Sequence, residues 1–132
     1  MEGDLLTFER FAPGKSLGEC TERVSADALR RWSLLYPGDP SPPGEVPDGM
    51  AMVMLMRAYM RTLAPRPPGN VHARQRLRLL SPLRPGEAVT TAFVCAGKAL
   101  RRERRYVEVD VRAAGEDGRP VFDARMTLIW AA

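Results

Sequence analysis

The stretch from Asp48 to Ala64 limits what this 132-residue chain can fold into more than any other part of it. Met50, Ala51, Met52, Val53, Met54, Leu55, Met56, Ala58, Tyr59, Met60 and Leu63 put apolar side chains on nearly every side of a helix. Arg57 and Arg61, one turn apart, form the only wet stripe. Such a helix is expected to be buried over most of its circumference, so something must wrap it. It is also too short, and too interrupted by arginine, to cross a bilayer. Pro65-Arg66-Pro67-Pro68-Gly69 ends it.

The wrapping material follows. Val71, Ala73, Gln75, Leu77 and Leu79 alternate with His72, Arg74, Arg76 and Arg78, which predicts a strand with one buried face and with His72 among the solvent-facing arginines. Ser81 to Gly86 reads as a turn, and three further alternations come after it: Val89, Thr91, Phe93 and Cys95; Val107, Val109 and Val111; Phe122, Ala124, Met126, Leu128 and Trp130. Long consecutive strands joined by turns make an antiparallel sheet.

Ahead of the central helix, Leu5 to Phe11 alternates weakly up to a Pro13-Gly14 turn, and Leu17 to Val24 is a short strand. Ser25 N-caps a helix over Ala26 to Tyr36, with Asp27 in its first turn and Ala28, Leu29, Trp32 and Leu35 on one face. The loop from Pro37 to Pro47 holds five prolines and two glycines, a stiff segment able to present a side chain. The expected class is α+β: a curved antiparallel sheet wrapped around a central helix at about 48–64, as one domain over 1–132.

Composition narrows the function classes. With 45% hydrophobic and 27% charged residues the chain can fill a core, and its net charge of +4 permits an anionic partner without demanding one. Two cysteines, Cys20 and Cys95, and a lone histidine, His72, give neither a disulfide framework nor metal-ligand spacing. The acidic opening MEGDLLTFERF does not read as a signal peptide, so a reduced, cytoplasmic protein without a membrane partner is expected.

Four segments, taken in order, resemble the hotdog fold and, within it, the MaoC-like hydratase/dehydratase family: Ser25-Ala26-Asp27-Ala28, Gly38-Asp39-Pro40-Ser41-Pro42-Pro43-Gly44, Pro47-Asp48-Gly49-Met50, and the strand-turn Leu79 to Glu87. The resemblance implies acyl thioesters of coenzyme A or acyl carrier protein as substrates, no bound cofactor, reversible hydration of a trans-2-enoyl group, and homodimers or paired hotdog chains. The family's catalytic loop reads Gly-Asp-x-Asn-Pro-x-His. Asp39 matches its Asp, Ser41 stands where Asn is expected and Gly44 where His is expected; the family's second His, before the helix Gly, is Asp48.

Hydration needs one group to deprotonate water and another to protonate the α-carbon, each contributing roughly 10²–10⁴ in rate. Asp39 and Asp48 are the catalytic candidates, and Gly44 has no side chain to offer. Asp39 is equally a turn residue of a Gly-Asp-Pro bend. The free amides of Gly49 and Met50 at the helix start are candidates to hold the thioester oxygen, unless Asp48 caps them itself. Met52 and Met56 are core filler or the lining of an acyl pocket. Arg74, Arg76 and Arg78, with Arg101, Arg102, Arg104 and Arg105, suit the phosphates of coenzyme A or an acidic carrier protein. Without interleaved stacking aromatics, nucleic acid is not an expected partner. Three functions follow: a hydratase/dehydratase (hydro-lyase) or a diverged relative, a non-catalytic acyl-CoA-binding or partner subunit because of Gly44, and a thioesterase using Asp48.

Overall fold

The computed structural model describes residues 4–132; the first three, part of the acidic opening, lie outside the described residues. Five strands, β1 (Ser16–Arg23), β2 (Val71–Leu79), β3 (Ala88–Arg101), β4 (Arg104–Ala114) and β5 (Pro120–Trp130), pair antiparallel in the order β1-β3-β4-β5-β2. Helix α1 (Ala26–Leu35) precedes the central helix α2 (Gly49–Thr62), and the sheet curves around α2.

Alternation decides which side chains face the helix. Phe93, Val107, Val109, Val111, Met126, Leu128 and Trp130 point inward and are all but fully buried, as period-two patterning requires. They meet Met50, Ala51, Met54, Leu55, Ala58 and Tyr59 of α2. Leu5 to Phe11 is no strand. It forms a strap with a single turn at Phe8–Arg10, held by Leu6 N–H on the Pro65 carbonyl and by Phe8 N–H on the Ala132 carbonyl, each 2.8 Å. The Trp130 indole donates to the Leu6 carbonyl at 2.7 Å, and Phe11 stands edge-on to Trp130.

Three expectations are corrected. The apolar helix is not enclosed on most of its circumference: Met52, Val53 and Met60 are 39%, 38% and 52% exposed. One five-stranded sheet covers one side of a helix; Val53 and Met60 stand away from it, and Met52 lies at its border, where the Gln75 side chain of β2 donates to its sulfur at 2.7 Å. Nor is the arginine stripe simply wet, because Arg57 and Arg61 both pair with Glu22 of β1. Strand β2 does not bury its odd face either; only Gln75 and Leu77 are half-buried, while Val71 and Leu79 are exposed. β2 is an edge strand, which α2 reaches at Gln75, through Met52, and at His72, through Tyr59.

The turn after β2 is bolted to the β4–β5 turn by one buried carboxylate. Glu87 accepts the Arg84 amide at 2.8 Å and both terminal nitrogens of Arg119, at 2.6 and 3.1 Å. Arg119 also donates to the Pro82 carbonyl and to Ser81 Oγ. A Cβ on Gly115 would sit 2.7 Å from Glu87 Oε2, so the carboxylate needs glycine there. Burial raises the Glu87 carboxyl, but the Arg119 guanidinium and the amides of Arg84 and Glu116 outweigh it and hold the group below its ordinary value. A depressed carboxylate contributes stability that is present above the unfolded-state pKa and is lost as pH falls through the folded one. Glu87→Gln is therefore expected to destabilise the fold by about 2–4 kcal/mol near neutral pH, and by much less in acid. Urea unfolding at neutral pH and near pH 3 checks this.

Candidate functional site

The amino end of α2 is built by three segments. Ser25 caps α1 through Oγ on the Ala28 amide (3.1 Å), which fixes the helix that carries Trp32. The proline-rich loop is pinned at both ends, by Asp39 N–H on the Tyr36 carbonyl (3.1 Å) and by Val46 N–H on the Leu83 carbonyl (2.9 Å). Within it, Ser41 Oγ donates to the Glu45 carbonyl at 2.9 Å. The loop delivers Asp39, whose Oδ2 accepts the Trp32 indole N–H and the Gly49 amide, each at 3.0 Å.

Asp39 is thus more than a bend residue. Its carboxylate is the anion that the partly positive end of α2 holds. Asp48, in the cap position, has helical backbone angles and makes no side-chain cap; its carboxylate is exposed. Gly49 is the residue that lets Asp39 in, since a Cβ there would lie 2.5 Å from the Trp32 ring and 2.7 Å from Asp39 Oδ2.

The expectation of open amides at Gly49 and Met50 is corrected in this structure. The Gly49 amide is taken by Asp39, the Met50 amide by the Pro47 carbonyl at 3.0 Å and the Ala51 amide by the Asp48 carbonyl at 3.1 Å. A tight turn at Pro47–Met50 consumes the donors that an ideal helix start leaves free. Gly44, where the resemblance led to an expected histidine, is exposed with φ +82°, and nothing lies within 4 Å of where its Cβ would be. The position is a turn, not the wall of a cleft. Beside the first turn of α2, Met50, Val53 and Met54 line a crevice of about 130 Å³ with Ser25 and Ala28.

The other candidates are dispersed. Met52 and Met56 lie with Val53, Met60, Arg57 and Arg61 along a groove of about 440 Å³ on the uncovered side of α2, not inside the sheet. Arg74, Arg76 and Arg78 share the outer face of the sheet but not one depression. Arg78 is paired with Asp123 (2.7 Å); Arg76 lies in the same hollow as that pair, and Arg74 lines a separate one.

His72 is exposed, as expected, though strand parity is not the reason. A bulge between His72 and Arg74 reverses the alternation and sets His72 opposite buried Leu128, on the α2 side, with its ring centroid 6.4 Å from that of Tyr59. Burial lowers its pKa, which a hydrogen bond with the Gln75 side chain partly offsets. Sequence carries no mark of such a bulge. It also missed Trp32 as the partner of Asp39, although an indole beside a carboxylate-bearing loop was there to be read. Cys20 and Cys95 are free thiols, and burial pushes Cys95 up. Among the described residues no cluster of His, Cys, Asp and Glu could hold a metal ion, and no helix is long and apolar enough to cross a membrane.

No protein-family profile matches the chain, and no curated protein does. Solved structures do. A MaoC-like dehydratase from Rhodospirillum rubrum superposes with a TM-score of 0.81 at 16% identity, over 96% of this chain and 98% of that one. This is a hotdog fold. The R-hydratase PhaJ1 from Pseudomonas aeruginosa is similar at a TM-score of 0.74 and 19% identity, over 94% of this hotdog chain and 84% of its own. The HadBC (3R-hydroxyacyl-ACP dehydratase) complex from Mycobacterium tuberculosis is similar at 0.70 and 14%, over 89% and 96%.

Gly49→Ala is expected to cost about 1–3 kcal/mol through overpacking against Trp32, and Asp39→Ala about 1 kcal/mol through the lost cap. Both are expected to shift tryptophan emission to the red as the indole loses its partner. Chemical unfolding followed by fluorescence tests the pair.

Proposed function

We propose that this hotdog protein is MaoC-like, that it binds acyl thioesters of coenzyme A or acyl carrier protein at the amino end of α2, and that it takes part in hydratase/dehydratase chemistry as one member of a pair of hotdog chains. The observation that carries the reading is the bridge from Asp39 to the Gly49 amide and the Trp32 indole. It holds the one acid/base group that this chain shares with the family motif against the first amide of the central helix.

The chemistry follows from that placement. A thioester carbonyl oxygen takes the place of Asp39 Oδ2 at the Gly49 amide, where the helix end favours negative charge developing on it. The displaced carboxylate, still within reach of Trp32, faces the reacting water. The crevice along Met50, Val53 and Met54 takes the thin part of the substrate. Adding water across the double bond needs a second proton carrier, and Gly44 cannot act as one. That group comes from a partner chain. The uncovered stripe of α2 and the unpaired edge of β2 are the surfaces such a chain would cover, apolar side chains against the first and a backbone ladder along the second.

Titrating the isolated protein with a trans-2-enoyl-CoA is expected to give saturable binding without loss of the enoyl absorbance. Rapid hydration by this chain alone would overturn the divided pair, and no binding would overturn the thioester reading. Without that partner the same stripe pairs two copies of this chain, so Met60→Glu, which puts a charge in its middle, is expected to halve the particle mass of the isolated protein seen by light scattering. The exposed carboxylate of Asp48, which makes no cap hydrogen bond, favours a second reading, hydrolysis of the thioester. Release of thiol from a saturated acyl-CoA, abolished by Asp48→Asn, is its signature.

A further inference from the structure

The outer face of the sheet carries arginines in two different conditions. In its middle, Arg78 is paired with Asp123 and Arg125 with Asp110, beside Arg76 and Arg112, which have no ion pair among the described residues. Toward the β3–β4 hairpin the arginines of the cleft are all without one. There Arg74, Arg101 and Arg102 line a cleft of about 520 Å³ with Tyr106, Glu108 and Thr127, and none of the three arginines has an ion pair among the described residues. The Arg101 guanidinium lies 4.6 Å over the Tyr106 ring, which fixes its plane and leaves its edge free. Glu108 lies in the same lining, and its carboxylate accepts the Thr127 hydroxyl at 2.8 and 3.0 Å.

The turn that presents Arg102 is strained. Arg101 pairs with Arg104 across the hairpin, so the turn is two residues long, and Arg102 and Glu103 have φ of 50° and 66°. Asn-Gly is the usual occupant of such a turn, because both positions need the left-handed region. A side chain kept there against its backbone preference is a mark of use.

We propose that this cleft binds the phosphate monoester of a small hydroxyl-bearing molecule, a sugar phosphate or a nucleotide. Three guanidiniums against one carboxylate leave two positive charges, which match a phosphate monoester near its second ionisation. Guanidinium edges meet phosphate oxygens in pairs. Glu108, which only accepts, requires a donor on the ligand, and a sugar hydroxyl is one. The site stands apart from the thioester reading. It opens on the outer face at the hairpin end, beside the start of β2, whereas the amino end of α2 connects to the chain beyond the end of β2.

The test is calorimetric titration of the intact protein with ribose 5-phosphate and with adenosine 5′-monophosphate; whichever binds identifies the source of the phosphate. Expected is saturable binding of at least one. It is weakened at least tenfold by Arg74→Gln and by the double variant Arg102→Asn/Glu103→Gly, and unchanged by Arg112→Gln in the neighbouring hollow. The double variant suits the turn better, so its unfolding midpoint is expected to rise while its affinity falls. Binding of neither compound overturns the proposal. So does an equal loss in Arg112→Gln, which would mark a general positive field, or full affinity in the relaxed double variant.

Discussion

A helix that is apolar on almost every side cannot be satisfied by one sheet, and much of this molecule follows from that mismatch. The five strands take the side of α2 that carries Met54, Leu55, Ala58 and Tyr59, and the strap from Leu6 to Phe11 closes the end below Trp130. Met52, Val53 and Met60 are left in water, next to an edge strand whose backbone has no neighbour. Apolar residues exposed in that position form the patch on which the proposed pairing of chains rests.

The amino end of the same helix obeys a second constraint. Three leading amides and a partial positive charge are concentrated there, and the chain satisfies them itself with Asp39, the Pro47 carbonyl and the Asp48 carbonyl. Trp32 fixes the rotation of the Asp39 carboxylate, and Gly49 makes the room. A ligand oxygen reaching this point has to compete with an internal anion. Binding and the position of Asp39 are therefore linked, whatever reaction follows.

Most of the architecture was legible because alternation and helical spacing are strong signals where a face is buried. Val107, Val109 and Val111, and the five inward residues of β5, sit as their spacing requires. The signal weakens at the edge. Val71 and Leu79 have the alternation but not the cover, and the bulge beside His72 turns a residue to the opposite face with no trace in its neighbours. Of the candidate residues, Asp39 and Gly49 meet in the structure, but which carboxylate would hold the helix depends on a loop ten residues away. Periodicity says nothing about loops.

The left-handed turn at Gly44 also sets what the loop can carry. A histidine placed there would meet a backbone in the region that side chains rarely adopt, with nothing within 4 Å of its Cβ to hold it. An imidazole delivered from this loop would therefore need another path between Pro42 and Val46, so the course of the loop and the residue at that position are one choice, not two.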